Sequence, residues 1–391
     1  MSLAHGHHYL AIPGPSVIPD RVQRAMHRAS PNIYEGELHE ITRSVIPDLK
    51  RVARTEAQVA LYIGNGHAAW EAALANVTSP GDRVLVLATG RFGHGWSEMA
   101  RTLGLEPQIL DFGEESDVDP ARVEEALKAD REGRIKAVLS VFVDTSTSVL
   151  SDVGAVRQAI DNAGHSALLM CDCIASLGCD RFEMDDWGVD VTVTGCQKGL
   201  MTPPGMSFVF FNEKAEAARE SAQNVTHYWD WQRRTGVEEY YQYFDGTAPT
   251  HHLYGLREAL DMIFEEGLEA VWARHRRLAG AIWAAGETWA QEGPMRLNVK
   301  DISQRSCAVT SVGIGEGNGD RLRAFMEHEM GVTLGIGLGR DPSSAWFRIG
   351  HMGHVNAHMV MGLLGCIETG LSALQIPHGR GALDAAAEAL V

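Results

Sequence analysis

Short apolar runs alternate with segments of helical period along the first half of the chain. Residues 59–63, 84–87, 137–143, 167–172 and 191–194 read as strands rich in Val, Leu and Ile, with a further strand expected at 107–111. Between them, apolar positions at helical spacing predict helices over 68–76, 95–103, 120–130 and 153–162. Upstream, 21–29 reads as a short helix and 37–54 as a longer one kinked at Pro47. Repeated strand–helix alternation predicts an α/β fold, a mostly parallel sheet with helices on both faces. Ligands then bind beyond the carboxyl ends of its strands. The opening stretch 9–19 is Pro-rich and extended, suited to an arm lying across another part of the molecule. Beyond 211 the pattern changes. A helix at 213–221 leads to an aromatic loop, then to a long helical region over 250–291 with a break near Gly267. From 296 the pattern is α+β, closing with a strand at 345–349 and a helix at 356–371. These shifts divide the chain into an arm (1–20), a large domain (21–260) and a smaller C-terminal α+β domain (261–391).

Composition narrows the function. The chain has 391 residues, 45% of them hydrophobic, enough to bury a large core. A net charge of −17 argues against nucleic acid and against an anionic membrane surface. An anionic substrate therefore needs a local cation. The six cysteines lack C-x-x-C spacing and several sit inside apolar runs, which points to reduced core residues of a cytosolic protein, with neither zinc nor disulfides expected. No signal peptide or membrane-spanning run is expected.

The chemistry centres on residues 191–211. A β-branched run ends at Gly195, Lys198 follows in a turn rich in Gly and Pro, and 207–211 returns as a strand. This places Lys198 at the rim of a buried sheet. The run 167–172 ends in Asp172, a carboxylate whose burial is costly unless it is paired or hydrogen-bonded. An acid able to hold a ring nitrogen protonated and a lysine able to form a Schiff base are the two groups that pyridoxal phosphate requires. The loop Gly64-Asn-Gly-His leads from a strand into a helix, so it reads either as an anion cradle or as an ordinary Gly-rich turn. A Walker A sequence is absent, and Gly335-Ile-Gly-Leu-Gly lacks the context of a dinucleotide fingerprint, leaving a flexible active-site loop or a turn.

Taken together, several segments resemble the class V aminotransferases of pyridoxal-phosphate fold type I, in particular the serine/alanine–glyoxylate group. They are Pro13-Gly-Pro-Ser, Gly64-Asn-Gly-His-Ala-Ala-Trp-Glu, Ser79-Pro-Gly-Asp, Gly90-Arg-Phe-Gly, Asp185-Asp-Trp-Gly-Val-Asp, Gly195-Cys-Gln-Lys-Gly and Phe347-Arg-Ile-Gly-His-Met-Gly. The likeness covers residues 9–371. It implies a pyridoxal 5′-phosphate enzyme that moves an amino group from a small amino acid, such as serine or alanine, to glyoxylate or pyruvate. By the same resemblance, Lys198 binds the cofactor and shuttles the proton, and Asp172 protonates the ring nitrogen. Phe92 and Ile174 cover the two faces of the ring, and Thr145 reaches its hydroxyl. Asn65, Gly66, His67 and Gln197 hold the phosphate, and Thr247 reaches it from a neighbouring subunit, which implies a homodimer with shared sites. Arg348 grips the substrate carboxylate. Trp70 reads as helix-packing core, His351 and His354 as structural or rim residues, and the loop 227–231 as either dimer interface or pocket wall.

The departures concern the substrate. Asp144-Thr-Ser-Thr-Ser stands where the family carries Glu-Thr/Ser-x-Thr-Gly, so Ser148 replaces a glycine. Cys171 and Cys173 flank Asp172. The loop Asn32-Ile-Tyr-Glu-Gly departs from the serine–glyoxylate pattern, and Tyr34 is the residue expected to contact the donor. Three alternatives are a cysteine desulfurase, a pyridoxamine–pyruvate-type transaminase and a non-catalytic cofactor sensor. The first places His before the lysine, where this chain has Gln197, and needs a mobile Cys; the second needs no phosphate cradle; the third has no use for Arg348.

Overall fold

In the computed structural model, which describes residues 2–391, the apolar runs of the first half assemble into one seven-stranded sheet. The elements up to it are β1 (Tyr9–Ala11), α1 (Asp20–Met26), α2 (Glu37–Ala53), β2 (Gln58–Gly64), α3 (Gly66–Val77), β3 (Arg83–Ala88), α4 (Arg91–Thr102), β4 (Glu106–Asp111) and α5 (Pro120–Ala129). There follow β5 (Ile135–Val141), the short hairpin β6 (Val143–Asp144) and β7 (Val149–Leu150), α6 (Val153–Asn162), β8 (Leu168–Asp172), β9 (Val191–Gly195), β10 (Gly205–Phe211) and α7 (Glu213–Arg219). The sheet order is β2-β10-β9-β8-β5-β3-β4. Strands β9, β8, β5, β3 and β4 are mutually parallel, and β10 runs antiparallel between β2 and β9. Every residue of β8 and β9 is buried, which is why those runs are continuously apolar or β-branched rather than alternating. In β2 the pleat divides its residues: Val59 and Leu61 join one core, Ala60 and Tyr62 the other.

After 3-10 turns at Trp231–Arg234 and Tyr240–Tyr243 come α8 (Thr250–Glu266), α9 (Leu268–Trp289), β11 (Arg296–Leu297), β12 (Val309–Gly313), α10 (Asn318–Met330), β13 (Val332–Ile336), β14 (Trp346–Gly350), α11 (Ala357–Ala373) and α12 (Ala382–Ala389). Their strands form a second sheet, β1-β13-β14-β12-β11, with its own core around Leu278, Leu334, Phe347 and Leu363. Trp272 belongs to the first core and Leu278 to the second, so the change of core falls inside α9.

Four local features differ from the expectation. The opening arm contributes β1, paired parallel with β13, and Ala11 is buried in the second core. Helix α4 begins at Arg91 rather than 95, because the backbone N–H groups of Arg91, Phe92 and Gly93 find acceptors on Ser146 and Asp144, remote in sequence. A helix α12 beyond the expected elements packs its inner positions Ala382 and Ala386 into the second core. Trp231 in the aromatic loop is fully buried and stacks on Phe211 at 4.2 Å between ring centroids, so this part of the loop is core of its own chain. No helix among the described residues is long and apolar enough to cross a membrane.

Candidate active site

Strands β2, β3, β5, β8 and β9 all direct their carboxyl ends at one cavity of ≈160 Å³. Asn65, Gly66, His67 and Trp70 enter it from the β2–α3 segment and Phe92 from the start of α4. Thr145 comes from the turn of the β6–β7 hairpin, Asp172 and Ile174 from the end of β8, and Gln197 and Lys198 from the turn after β9. Nine residues assigned to the cofactor from the sequence are therefore neighbours in space, together with Trp70.

The N-terminus of α3 opens onto this cavity. Asn65 is its cap, its Oδ1 accepting the N–H groups of His67 at 3.0 Å and Ala68 at 3.4 Å. The helix dipole leaves this end positive. A side chain at residue 66 would place its Cβ 2.3 Å from Ile174 Cδ1, so it would push the Ile174 side chain out of its present place beside the cavity. Burial and the charge of Arg91 hold the His67 imidazole below its ordinary value. Gln197 Oε1 is buried without a partner, and its amide can turn to offer either an acceptor or a donor.

Asp172 is buried, with Ile174 N–H donating to Oδ1 at 2.7 Å and Trp70 Nε1–H to Oδ2 at 2.9 Å. Burial pushes its carboxyl up to about 7 against the pull of those donors, Asp144 adds to the rise, and Lys198 opposes it. Lys198 is shifted the other way, down to about 8, by burial and by the Arg348 charge, with Asp172 and Cys179 opposing. Its Nζ donates to the Pro13 carbonyl, and Ser16 Oγ donates to the Lys198 carbonyl at 2.7 Å. The arm thus lies directly over the lysine. Residue 14 has φ +95°, which favours glycine, and a Cβ there would fall 2.2 Å from Lys198 Nζ and displace the lysine.

Arg348 reaches the site from β14 of the second sheet. It is 6% exposed; Nε donates to the Ile336 carbonyl at 2.7 Å and Nη1 to the Thr145 carbonyl at 2.8 Å. Burial lowers its pKa to about 10; Asp144 opposes the shift and Arg340 adds to it. The Ile336 carbonyl belongs to the Gly335-Ile-Gly-Leu-Gly run, whose first two residues end β13 and whose remainder is a turn, and it anchors this arginine. Thr247 and Tyr34 are not in the cavity of their own chain. Both line a separate cavity of ≈360 Å³ beside Tyr240 and Tyr241, where Tyr34 is 85% exposed.

Sequence reasoning missed three participants. Trp70, read as packing, is the donor to Asp172, a partner 102 positions away. Asp144, read as a departure from pattern, is the buried acceptor for the start of α4 that carries Phe92. Pro13 supplies the carbonyl that meets Lys198.

The family model described as aminotransferase class-V matches residues 16–352. The chain belongs to the class V aminotransferases. This class V chain is 37% identical over 387 residues to the serine–glyoxylate aminotransferase of Methylorubrum extorquens, covering 96% of this chain and 94% of that one. It is 35% identical over 383 residues to the L-aspartate–glyoxylate aminotransferase of Paracoccus denitrificans, with 96% and 94% covered. The crystal structure of ureidoglycine–glyoxylate aminotransferase from Bacillus subtilis superposes with a TM-score of 0.89 at 26% identity, over 100% of this chain and 99% of that one. The protein is thus a transaminase that uses pyridoxal phosphate. Its cavity fits that cofactor: it combines a helix N-terminus, a buried amide oxygen without a partner, an aromatic wall, a buried carboxylate and a lysine shifted toward its neutral form.

Proposed function

We propose that this class V aminotransferase moves the amino group of a small amino acid to glyoxylate, with pyruvate as the second candidate acceptor. The observation that carries this reading is the placement of Lys198 in one cavity with Asp172 and beneath the charge of Arg348. Relatives named for serine and for L-aspartate as donors, both with glyoxylate, support the acceptor.

Pyridoxal phosphate, when bound, supplies an electron sink for the pair released as the α-proton leaves. The residues do the rest. Lys198, with its pKa lowered to about 8, takes the proton from the α-carbon and returns it on the other side of the reaction. Asp172 holds a proton on the ring nitrogen; a cationic partner offsets the burial that otherwise raises its pKa. Phe92 and Ile174 would flank the ring, Thr145 would meet its hydroxyl, and Asn65, Gly66, His67 and Gln197 would hold the phosphate. Arg348 receives the substrate carboxylate, the local cation that a chain of net charge −17 requires.

Thr247 and Tyr34 complete the proposed site from a second copy, since they sit together away from their own cavity. The working unit is then a homodimer. Buried free thiols such as Cys171, Cys173 and Cys196 suit a reducing cytosol, the compartment we assign. A matrix of amino donors against oxo acids on the purified enzyme tests the function. Glyoxylate should be the best acceptor, with serine, alanine or aspartate among the best donors; turnover with none of these pairs would end the proposal. Mixing Lys198→Ala with Thr247→Ala subunits tests sharing: hybrids should regain one intact site.

A further inference from the structure

The Asp172 carboxylate has a second fixed donor that belongs to neither its own turn nor its own strand. Trp70, on the first turns of α3, is fully buried, and its indole N–H donates to Oδ2 at 2.9 Å. The ring is wedged in place. It stacks on Trp96 with centroids 5.6 Å apart and planes at 13°, meets His67 at 4.6 Å, and meets Phe92 edge-on at 6.2 Å. The other oxygen, Oδ1, is held by the Ile174 N–H at 2.7 Å. Two donors on two oxygens fix the plane of the carboxylate, while each oxygen keeps a lone pair for a further partner.

We propose that Trp70 is the positioning residue of Asp172, its indole N–H holding the carboxylate turned into the cavity so that it can grip a protonated ring nitrogen. The proposal rests on the role given above to Asp172 and adds the residue that prepares it. The packing explanation of Trp70 accounts for its burial and its stacking on Trp96. It does not account for the orientation of the indole, whose one polar atom is aimed at the one carboxylate in the cavity wall. Charge-assisted bonds of this kind are shorter and stronger than neutral ones. The donor also favours the ionised carboxylate, in the same sense as the Ile174 N–H and Lys198 and against burial and Asp144.

The test begins in the cofactor-free protein, where it needs no turnover. The chain has nine tryptophans, and ¹⁵N-indole spectra resolve their N–H groups. One resonance should move as pH is raised through the ionisation of Asp172, and the same resonance should lose that titration in Asp172→Asn. If no indole resonance responds to Asp172→Asn, the bond is absent and the proposal fails, whether or not any Trp70 variant folds. Trp70→Phe keeps an aromatic wedge and removes the donor; Trp70→Leu removes both. The ¹³C-carboxyl titration of Asp172 should rise by about one unit or more in each, since a hydrogen bond to a charged group is worth roughly that shift. In the loaded enzyme both should lower kcat by about 10-fold or more with little change in KM, and move the acid limb of the profile to higher pH. A Trp70→Phe variant with the wild-type titration and profile would make Trp70 a packing residue only. Failure of the Asp172 role itself reads out separately, as normal turnover by Asp172→Asn with the indole response intact.

Discussion

Ser148 Oγ accepts the backbone N–H of Ser311 at 3.2 Å, joining the loop that carries Thr145 to the strand that pairs with Arg348. Ser148 has φ +64°, a left-handed backbone that explains why glycine is the expected residue at this position. The hydroxyl compensates for the strain by satisfying a buried donor. Ser148→Ala keeps the strain and orphans Ser311 N–H, which costs about 1–3 kcal/mol. Ser148→Gly orphans the same donor but relieves the backbone by about 1 kcal/mol. Denaturant midpoints should therefore rank wild type above Gly and Gly above Ala. An Ala variant as stable as the Gly variant would show that φ carries no strain here.

Much of this was readable beforehand because the sheet strands are buried on both faces, which leaves continuous apolar runs such as residues 168–171, and because ligand residues sit just past those runs. Asp172 and Lys198 were found that way. What stayed hidden depends on partners far along the chain. The start of α4 leaves no local mark because its acceptors, Asp144 and Ser146, lie more than 50 positions away. The arm looked merely extended, since pairing of Tyr9 with Val332 leaves no local mark. Trp70 shows the general difficulty: an indole on an apolar helix face looks like packing until its acceptor is located.

Lys198 should capture the cofactor with a pH dependence set by its lowered pKa. The amine must be neutral to react, and burial with the Arg348 charge brings its midpoint to about 8 from 10.5. The rate at which cofactor-free enzyme takes up pyridoxal phosphate should rise through that midpoint. Replacing Arg348 with Met removes a cation and should move the midpoint upward. Borohydride should then fix the cofactor on the peptide containing Lys198. A midpoint near 10.5, or fixation on another lysine, would remove Lys198 from this role.

Asp172→Asn should keep the cavity and lose the electrostatic partner of the ring nitrogen. Asparagine has one acceptor oxygen, so it can keep either the Ile174 or the Trp70 bond while its NH2 faces the other donor; some stability should be lost, and turnover is compared per folded, cofactor-loaded molecule. Loss of a preorganised charge at a reacting system typically costs about 10²–10³-fold in kcat. Single-turnover kinetics separate this from a structural role, in which the variant would be less stable yet normal per folded molecule.

His351 should make the enzyme acid-sensitive. Its ring is fully buried, bonded to the Cys307 carbonyl at 2.8 Å and to Thr310 Oγ1 at 2.9 Å, and burial lowers its pKa from 6.5 to about 4. Unfolded chains take up the proton first, so this group contributes a stability that is complete above pH 6.5 and falls as pH drops toward 4, by about 1.4 kcal/mol per unit. His351→Gln loses the bonds but also the titration. Its deficit against wild type in urea midpoint should be largest at pH 7 and should shrink by pH 5. A deficit independent of pH would mean that His351 titrates normally.

Arg348 should select substrates that carry an α-carboxylate. Its Nε and Nη1 are tied to the carbonyls of Ile336 and Thr145, so the guanidinium is fixed before any substrate arrives. A fork already held in place loses less entropy on binding, and the carboxylate finds a planar donor pair that an ammonium cannot reproduce. Charge-assisted bonds of this kind contribute about 1.5–3 kcal/mol each, and about 1.4 kcal/mol is tenfold in an equilibrium or rate ratio. Arg348→Ala should therefore lower kcat/KM for amino acids by about 10²-fold or more. Arg348→Lys restores a charge but cannot hold both carbonyls and the substrate at once, so it should recover only part of the loss. Arg348→Ala also orphans the Ile336 and Thr145 carbonyls and raises the Lys198 midpoint, so kcat/KM is compared on fully cofactor-loaded enzyme at a pH above that midpoint, where the loss reports the substrate contact alone. Activity of Arg348→Ala equal to wild type, or a wild-type preference for amines without a carboxylate, would refute the assignment.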